Sequence, residues 1–409
     1  MTTKIDEPMV QDLSTDLNAM LIEEARKIQR RIRRQRWSIA LAVLVVVVSA
    51  LVIVEGGRAP SRNPVVNSAR PPGSSDALTS TRAPIIFHEP WAIASHGSHL
   101  WVVNFSRNIV ELNADTGSVI RTIGAQADGR LEPDSIVYNA GHLWVISGTS
   151  VAELNASDGA LVRVMRAKSY DFDFDSGPID FNGQIAWVLN AHNESVTELD
   201  ASSGALIRVV HLHIKAVFKQ APDMFYSPLN MAISGSRVLV SDQTVSGNQI
   251  IELNSLSGSV IRVLKAGNGP WRNTTGILAA DGDHVWITGD GYGRLVDLNS
   301  RNGSVIRVIK DKVPVVGYVT AMIVDGSHLW ITNEDNTGSV TELNADTGSV
   351  IRAIKDTHYR LTKAQVGHSH GGAAFTAVAA TRSRVWVVNQ FGSLMEWNTA
   401  SGSFIRNIK

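Results

Sequence analysis

Val340-Thr-Glu-Leu-Asn-Ala-Asp-Thr-Gly-Ser-Val-Ile-Arg352 reads as two short strands joined by a tight turn, and the same unit occurs seven times along the chain. The turn glycines are Gly117, Gly159, Gly204, Gly258, Gly303, Gly348 and Gly402. Six residues before each stands an acid: Glu111, Glu153, Glu198, Glu252, Asp297, Glu342 and Glu396. Four residues after each stands an arginine: Arg121, Arg163, Arg208, Arg262, Arg307, Arg352 and Arg406. Successive arginines lie 42, 45, 54, 45, 45 and 54 residues apart, and no insertion falls inside the unit. Strand-like sequence repeating at this period predicts a β-propeller.

The turn accounts for the fixed spacing. Asn and Asp bond to nearby backbone, Gly takes a positive φ, and one extra residue would flip the next strand to the wrong face. Upstream of each unit lies another strand, such as His-Leu-Trp-Val-Val-Asn104 or Arg-Val-Trp-Val-Val-Asn389. Six of the seven copies carry Trp in its third place, and the fourth has Leu239. Before that comes a strand of small residues, such as Trp91-Ala-Ile-Ala94 or Thr320-Ala-Met-Ile-Val324. Four strands per repeat and seven repeats predict an all-β fold, a seven-bladed β-propeller of four-stranded blades over residues 84–409.

The chain has 409 residues, 38 basic and 38 acidic, and no cysteine. Zero formal charge argues against nucleic acid as a bulk electrostatic partner. Lack of cysteine excludes disulfides and zinc-thiolate chemistry, and it fits an oxidising compartment. Residues 14–36 read as a helix with Leu17, Leu21, Ala25, Ile28 and Ile32 on one face and seven basic residues crowding its end. That segment is either the positive flank of a membrane span or a partner-binding helix. Residues 37–54 carry no charge and no helix breaker, and as a helix they would cover about 27 Å, enough to cross a bilayer core. The charge asymmetry predicts an uncleaved, single-pass signal anchor in the cytoplasmic membrane, with residues 1–36 cytoplasmic and the propeller outside. A cleaved signal peptide is the rival reading. Residues 55–83, rich in Gly, Pro, Ser, Asn and Arg, read as a flexible linker.

The pattern Ala-x-x-x-Gly-Ser-His-Leu-Trp-Val-x-Asn followed by Val-x-Glu-Leu-Asn-x-x-Thr-Gly-x-Val-Ile-Arg resembles the bacterial YVTN and streptogramin-lyase type of seven-bladed propeller, over residues 84–409. In that family a metal-binding carboxylate and a general-base histidine are expected on loops at the channel mouth. No catalytic residue is carried over from that family to this chain. The repeated residues read as architecture. Each Trp is expected between neighbouring blades, and each Glu/Arg couple as a structural ion pair. Whether the couple meets within a blade or across blades depends on hairpin register.

Function is expected from residues that break the repeat. The second-strand ends supply a polar ring of Asn104, Ser147, Asn190, Asp242, Asp290, Asn333 and Asn389, suited to turn chemistry or to a ligand at the channel mouth. In the loop 169–177, Asp171, Asp173 and Asp175 alternate with Phe172 and Phe174, and in an extended chain the three carboxylates would face one way and attract a hard divalent cation. The loop 211–228 carries Phe218, Met224, Phe225 and Tyr226, which would cover the channel or present a sticky patch. The loop 356–372 sets His368 and His370 two apart between glycines, as metal ligands, a base or a polar loop.

These features favour a membrane-anchored, extracytoplasmic, non-catalytic binding module for a protein, peptide or cell-envelope ligand. The alternative is a metal-assisted lyase or lactone hydrolase using His368 or His370 with Asp290 or an aspartate of 171–175.

Overall fold

The computed structural model describes residues 87–409 except 106, 125–132, 148, 173–175, 192, 213–227, 245–246, 267–268, 272–275, 289–293, 310–317, 335–338, 356–374, 382 and 390–391. All of them lie in the unit Thr81–Lys409. The helix expected over 14–36, the span 37–54 and the linker 55–83 lie outside the described residues. Among the described residues no helix is long and apolar enough to cross a membrane.

The hydrophobic alternation of each repeat produces one four-stranded antiparallel sheet with its strands in chain order. The described residues form seven such blades, over 90–123, 135–166, 176–211, 228–265, 278–309, 318–355 and 375–408. Second strands such as His99–Asn104 and Ile185–Asn190 are buried on both faces. Fourth strands such as Val119–Ile123 are largely exposed and form the rim. The first strands touch one another in cyclic order, blade 1 to blade 7 and back to blade 1, and so line the axis. A single helical turn, Ala167–Tyr170, follows blade 2.

Register places the repeated residues in one transverse row per blade. In blade 1 the row is Ala94–Trp101–Glu111–Arg121, each residue directly opposite the next. In blade 7 it is Ala379–Trp386–Glu396–Arg406. The other five blades repeat it, with Leu239 in the tryptophan place of blade 4. Cross-strand neighbours project to the same face, so the whole row points at the following blade.

Each seam between blades holds one buried apolar cluster, and six of the seven take an indole from the preceding blade's row. Trp101, Trp144, Trp187, Trp286, Trp330 and Trp386 are at most 1% exposed. At the blade 4–5 seam, where the row has Leu239, the cluster contains Trp271 from the connection between the two blades. A large ring is thus kept in the wedge at the one place where the repeat omits it.

The row's outer end settles how the acid and arginine meet. In every blade the arginine Nε pairs with its own blade's carboxylate, for example at 2.7 Å for Arg163–Glu153 and 2.6 Å for Arg352–Glu342. The same guanidinium then donates through Nη2 to a main-chain carbonyl in the next blade's turn. Arg121 reaches Ser157 O at 2.6 Å, Arg163 reaches Ser202 O at 2.8 Å, Arg208 reaches Leu256 O at 3.0 Å and Arg262 reaches Ser300 O at 3.0 Å. Arg307 reaches Asp346 O at 2.8 Å, Arg352 reaches Ala400 O at 3.3 Å and Arg406 reaches Asp115 O at 2.6 Å. The planar fork suits this double duty in a way that a lysine ammonium does not.

The last bond shows how the ring closes. Among the described residues blade 7 is built from 375–408 and blade 1 from 90–123, with no strand exchanged between them. The closing seam uses the clamp of every other seam, with Thr376 Oγ1 bonding Pro90 O at 2.9 Å and Phe87 entering the apolar cluster.

The turn itself is an Asx turn. Asn113 Oδ1 accepts from the N–H of Asp115 at 2.9 Å and Thr116 at 2.8 Å, and Gly117 N donates to Asn113 O at 2.7 Å. A register shift follows the row's acid in all seven blades, a bulge that hydrophobic alternation alone did not predict. Gly303 shows why glycine is required. Its φ is 74°, and a Cβ there would lie 2.3 Å from Leu264 of the preceding blade.

Candidate functional site

The two ends of each blade differ chemically. One end carries the Asx turns and the short hairpins between first and second strands. The other carries the loops after the second strands and the connections between blades, and it is the candidate face.

Beneath those loops, the polar ring residues that are described all lie at or near the ends of second strands. Asn104, Asn190, Asp242, Asn333 and Asn389 are at most 1% exposed, and Ser147 is also buried. Several of them bond within their own blades. Asn190 Nδ2 donates to Ser195 Oγ at 3.0 Å and Thr197 Oγ1 at 2.8 Å. Gln249 Nε2 donates to Asp242 Oδ2 at 2.7 Å, Asn104 Nδ2 donates to Asn108 Oδ1 at 2.9 Å and Asn333 Nδ2 donates to Thr341 Oγ1 at 3.3 Å. Such bonds set the shape of the loops above. Asp290, Tyr226, His368 and His370 lie outside the described residues.

The acidic run begins with a bend. After the helical turn Ala167–Tyr170, Asp171 is exposed and has φ 59°, and Phe172 is buried in the blade 2–3 cluster. Asn193 Nδ2 donates to Asp171 O at 2.8 Å and Thr197 Oγ1 donates to Tyr170 O at 3.0 Å, which ties the segment to blade 3. Asp173 and Asp175 lie outside the described residues. Among the described residues no group of three or more His, Cys, Asp or Glu side chains is placed to hold a metal ion.

Blade 1 adds an aromatic corner to this face. Phe105, 52% exposed, stands edge-on to Trp91 at 5.4 Å, and its N–H donates to His88 O at 2.9 Å.

The repeated acids are occupied elsewhere. All seven are at most 1% exposed, and besides its arginine most of them have a second partner from the start of the second strand. His99 Nδ1 lies 2.7 Å from Glu111, His142 3.0 Å from Glu153, His284 2.9 Å from Asp297 and His328 2.6 Å from Glu342. Arg237 and Arg384 take that place against Glu252 and Glu396. Burial pushes the Glu153, Glu198 and Asp297 carboxyls up, and the cations beside them pull them partly back. The second partner was not foreseen, although its signal, a His or Arg, stands two residues before five of the six row tryptophans and before Leu239.

One further acid went unnoticed. Asp180 lies in the first strand of blade 3, opposite Trp187. The equivalent residues, seven before the tryptophan or Leu239, are Ala94, Val137, Ala232, Ala279, Ile323 and Ala379. Alignment of the repeats on the tryptophan would have exposed it. The residue as a whole keeps partial exposure, yet its carboxyl is enclosed, and burial raises its pKa to about 6 against the opposing pull of the Phe181 and Ile233 N–H groups.

A family model matches residues 47–354, more than half of the chain: PQQ_2, outer membrane protein assembly factor BamB. No curated protein matches the sequence. Among solved structures, BamB from Moraxella catarrhalis is 15% identical, with 75% of this chain and 84% of that chain covered and a TM-score of 0.50. The hydrazine synthase of Kuenenia stuttgartiensis is 14% identical, with 79% and 99% covered and a TM-score of 0.58. The computationally designed Ika8 protein is 15% identical, with 79% and 88% covered and a TM-score of 0.53. At these identities the likeness to solved structures concerns the fold alone. By its family match, the chain belongs to the PQQ_2 family of propellers, described as outer membrane protein assembly factor BamB.

Proposed function

We propose that this chain is a non-catalytic interaction module of the cell envelope, held to the cytoplasmic membrane through residues 37–54, with the propeller outside and its loop-rich face presented to a protein, peptide or envelope ligand. The observation that carries this reading is the occupation of the repeated ionisable residues. Every row acid is buried and paired with an arginine that also clamps the next blade, so the sevenfold chemistry is committed to the ring. Recognition then falls to the irregular loops. Family membership supports the same reading, since the family is described by an assembly factor. The likeness of the hairpin unit to the YVTN and streptogramin-lyase repeat is read as a finer kinship of blade architecture. Asn104, Asn190, Asp242, Asp290, Asn333 and Asn389 support the binding loops, and Tyr226, His368 and His370 contact the partner. Asp171, Asp173 and Asp175 form the acidic edge of that face.

The test is affinity capture with the full-length chain, before and after residues 211–226 and 356–372 are replaced by short repeat-type loops. Loss of the partner with an unchanged melting temperature is the expected result. Partner capture that survives both replacements would remove this face from the account.

A further inference from the structure

Two departures from the repeat fall on the same seam. Asp180 stands where the other six blades carry Ala, Val or Ile. Ile185 stands where the others carry His or Arg against the row acid, so Arg208 is the described cation that reaches Glu198, at 2.8 Å. Asp180, Trp187, Glu198 and Arg208 form one row facing blade 4. The row therefore holds two carboxyls and one arginine, and the arginine stands at the far end from Asp180, whereas in blade 1 a single carboxyl has both Arg121 and His99.

Among the described residues no cation pairs with Asp180. The first strand of blade 4, Pro228–Ser234, contains no ionisable residue. Blade 4 otherwise meets the seam with Met231, Val238, Val240, Ile251 and Leu253. Its Arg237 is turned to Glu252 and Ser300 O on the blade 5 side, and Asp242 is bonded to Gln249. Behind Asp180, Ile179 and Phe181 point the other way, into the cluster with Trp144, and His142 of blade 2 is held by Glu153.

What Asp180 does have is main chain from both blades. Its Oδ1 accepts from Phe181 N at 2.8 Å and its Oδ2 from Ile233 N at 3.1 Å. The hairpins close on the pairs Asn182↔Ile185 and Ser234↔Arg237. The preceding N–H groups, those of Phe181 and Ile233, therefore point away from the second strands and toward the axis. Asp180 is thus a carboxyl bridging the inner strands of blades 3 and 4 at the channel wall.

We propose that the blade 3–4 seam is a proton-operated joint of the ring, closed while Asp180 holds its proton and loosened, more than any other seam, when the proton leaves and an enclosed charge remains between the inner strands with no cation among the described residues beside it. Folding raises the pKa of this carboxyl from 3.8 to about 6. The stabilising contribution is therefore fully present below 3.8 and lost as pH rises through about 6.

Hydrogen exchange on the full-length chain, corrected for the intrinsic rate at each pH, reads the seam directly. Between pH 5 and 7.5, protection of residues 176–182 and 228–234 is expected to fall about tenfold, while the closing seam at 90–96 and 375–380 changes far less. Asp180→Ala, which installs the residue of blades 1, 4, 5 and 7, should abolish the fall, and Asp180→Asn should do the same while keeping a polar side chain. A flat wild-type profile, an equal fall at the closing seam, or a fall that persists in Asp180→Ala would each overturn the proposal.

Discussion

The arginine clamps make a graded prediction, because the seven blades do not back up their buried acids equally. Consider replacing Arg208 or Arg121 by methionine, which keeps the aliphatic bulk and removes the guanidinium. Both substitutions delete the bond to the next blade's turn, a charge-assisted hydrogen bond worth about 1.5–2 kcal/mol net. In blade 1, His99 Nδ1 remains 2.7 Å from Glu111, so the carboxylate keeps a partner. In blade 3 the equivalent place is Ile185, and Glu198, 1% exposed, loses the cation that reached it. Leaving a buried charge unpaired costs about 3–5 kcal/mol, of which the lower end applies because Arg208 is about a third exposed. At pH 7.5, Arg208→Met should cost about 1–1.5 kcal/mol more than Arg121→Met, roughly a tenfold difference in unfolding constant. The Glu198 carboxyl is already raised by burial and has lost its opposing cation, so it takes up a proton as the solution is acidified, and the excess cost should shrink as pH falls toward 4.5. Equilibrium urea unfolding of both variants at the two pH values measures this. Equal losses at pH 7.5, or an excess that does not shrink on acidification, would refute the idea that the second-strand residue backs up the pair.

Other expectations follow from single positions. Gly303→Ala should cost about 1–3 kcal/mol through its positive φ and the contact with Leu264, and Gly282→Ala, with a similar φ but open space around it, should cost less in the same thermal melts. Trp271→Ala should destabilise by about 3–5 kcal/mol, as much as loss of a row tryptophan, because its indole fills the blade 4–5 wedge; a loss below 1 kcal/mol by urea unfolding would show that Leu239 suffices. Asp200 takes the place of the turn Asn in blade 3, and bonds from Ser202 and Ser203 lower its pKa to about 2. Its contribution is present above 3.8 and lost as pH falls through about 2, so Asp200→Asn should flatten only the most acidic part of the stability profile.

Much of the ring was legible because a propeller repeats its constraints. The turn glycine, the acid six before it and the arginine four after it gave the blade number, the two strands upstream of each unit completed the strand number, and the tryptophans fell between blades as expected. Three things were not legible. The bulge after each acid arises from the geometry of the turn, which hydrophobic alternation does not encode. Trp271 compensates for Leu239 through three-dimensional proximity from a connecting segment with no repeat to flag it. The closing seam depends on Arg406 meeting the turn of Asp115, nearly the whole propeller apart in sequence, and no local pattern speaks to such a contact. The candidate site was least legible. Asn104, Asn190, Asp242, Asn333 and Asn389 were readable as a ring, but their burial beneath the loops follows from strand length and packing. Asp180 escaped notice because a lone acid in a strand looks ordinary until the seven copies are stacked on their tryptophans.

The division of labour between ring and loops is tested most directly by site-specific photo-crosslinking in the full-length chain, with the probe at Phe105 on the loop-rich face or at Leu256 on the turn face, both exposed. The account predicts a discrete adduct from position 105 that disappears when residues 211–226 and 356–372 are shortened, and none from position 256. An adduct formed at 256 and absent at 105 would contradict it.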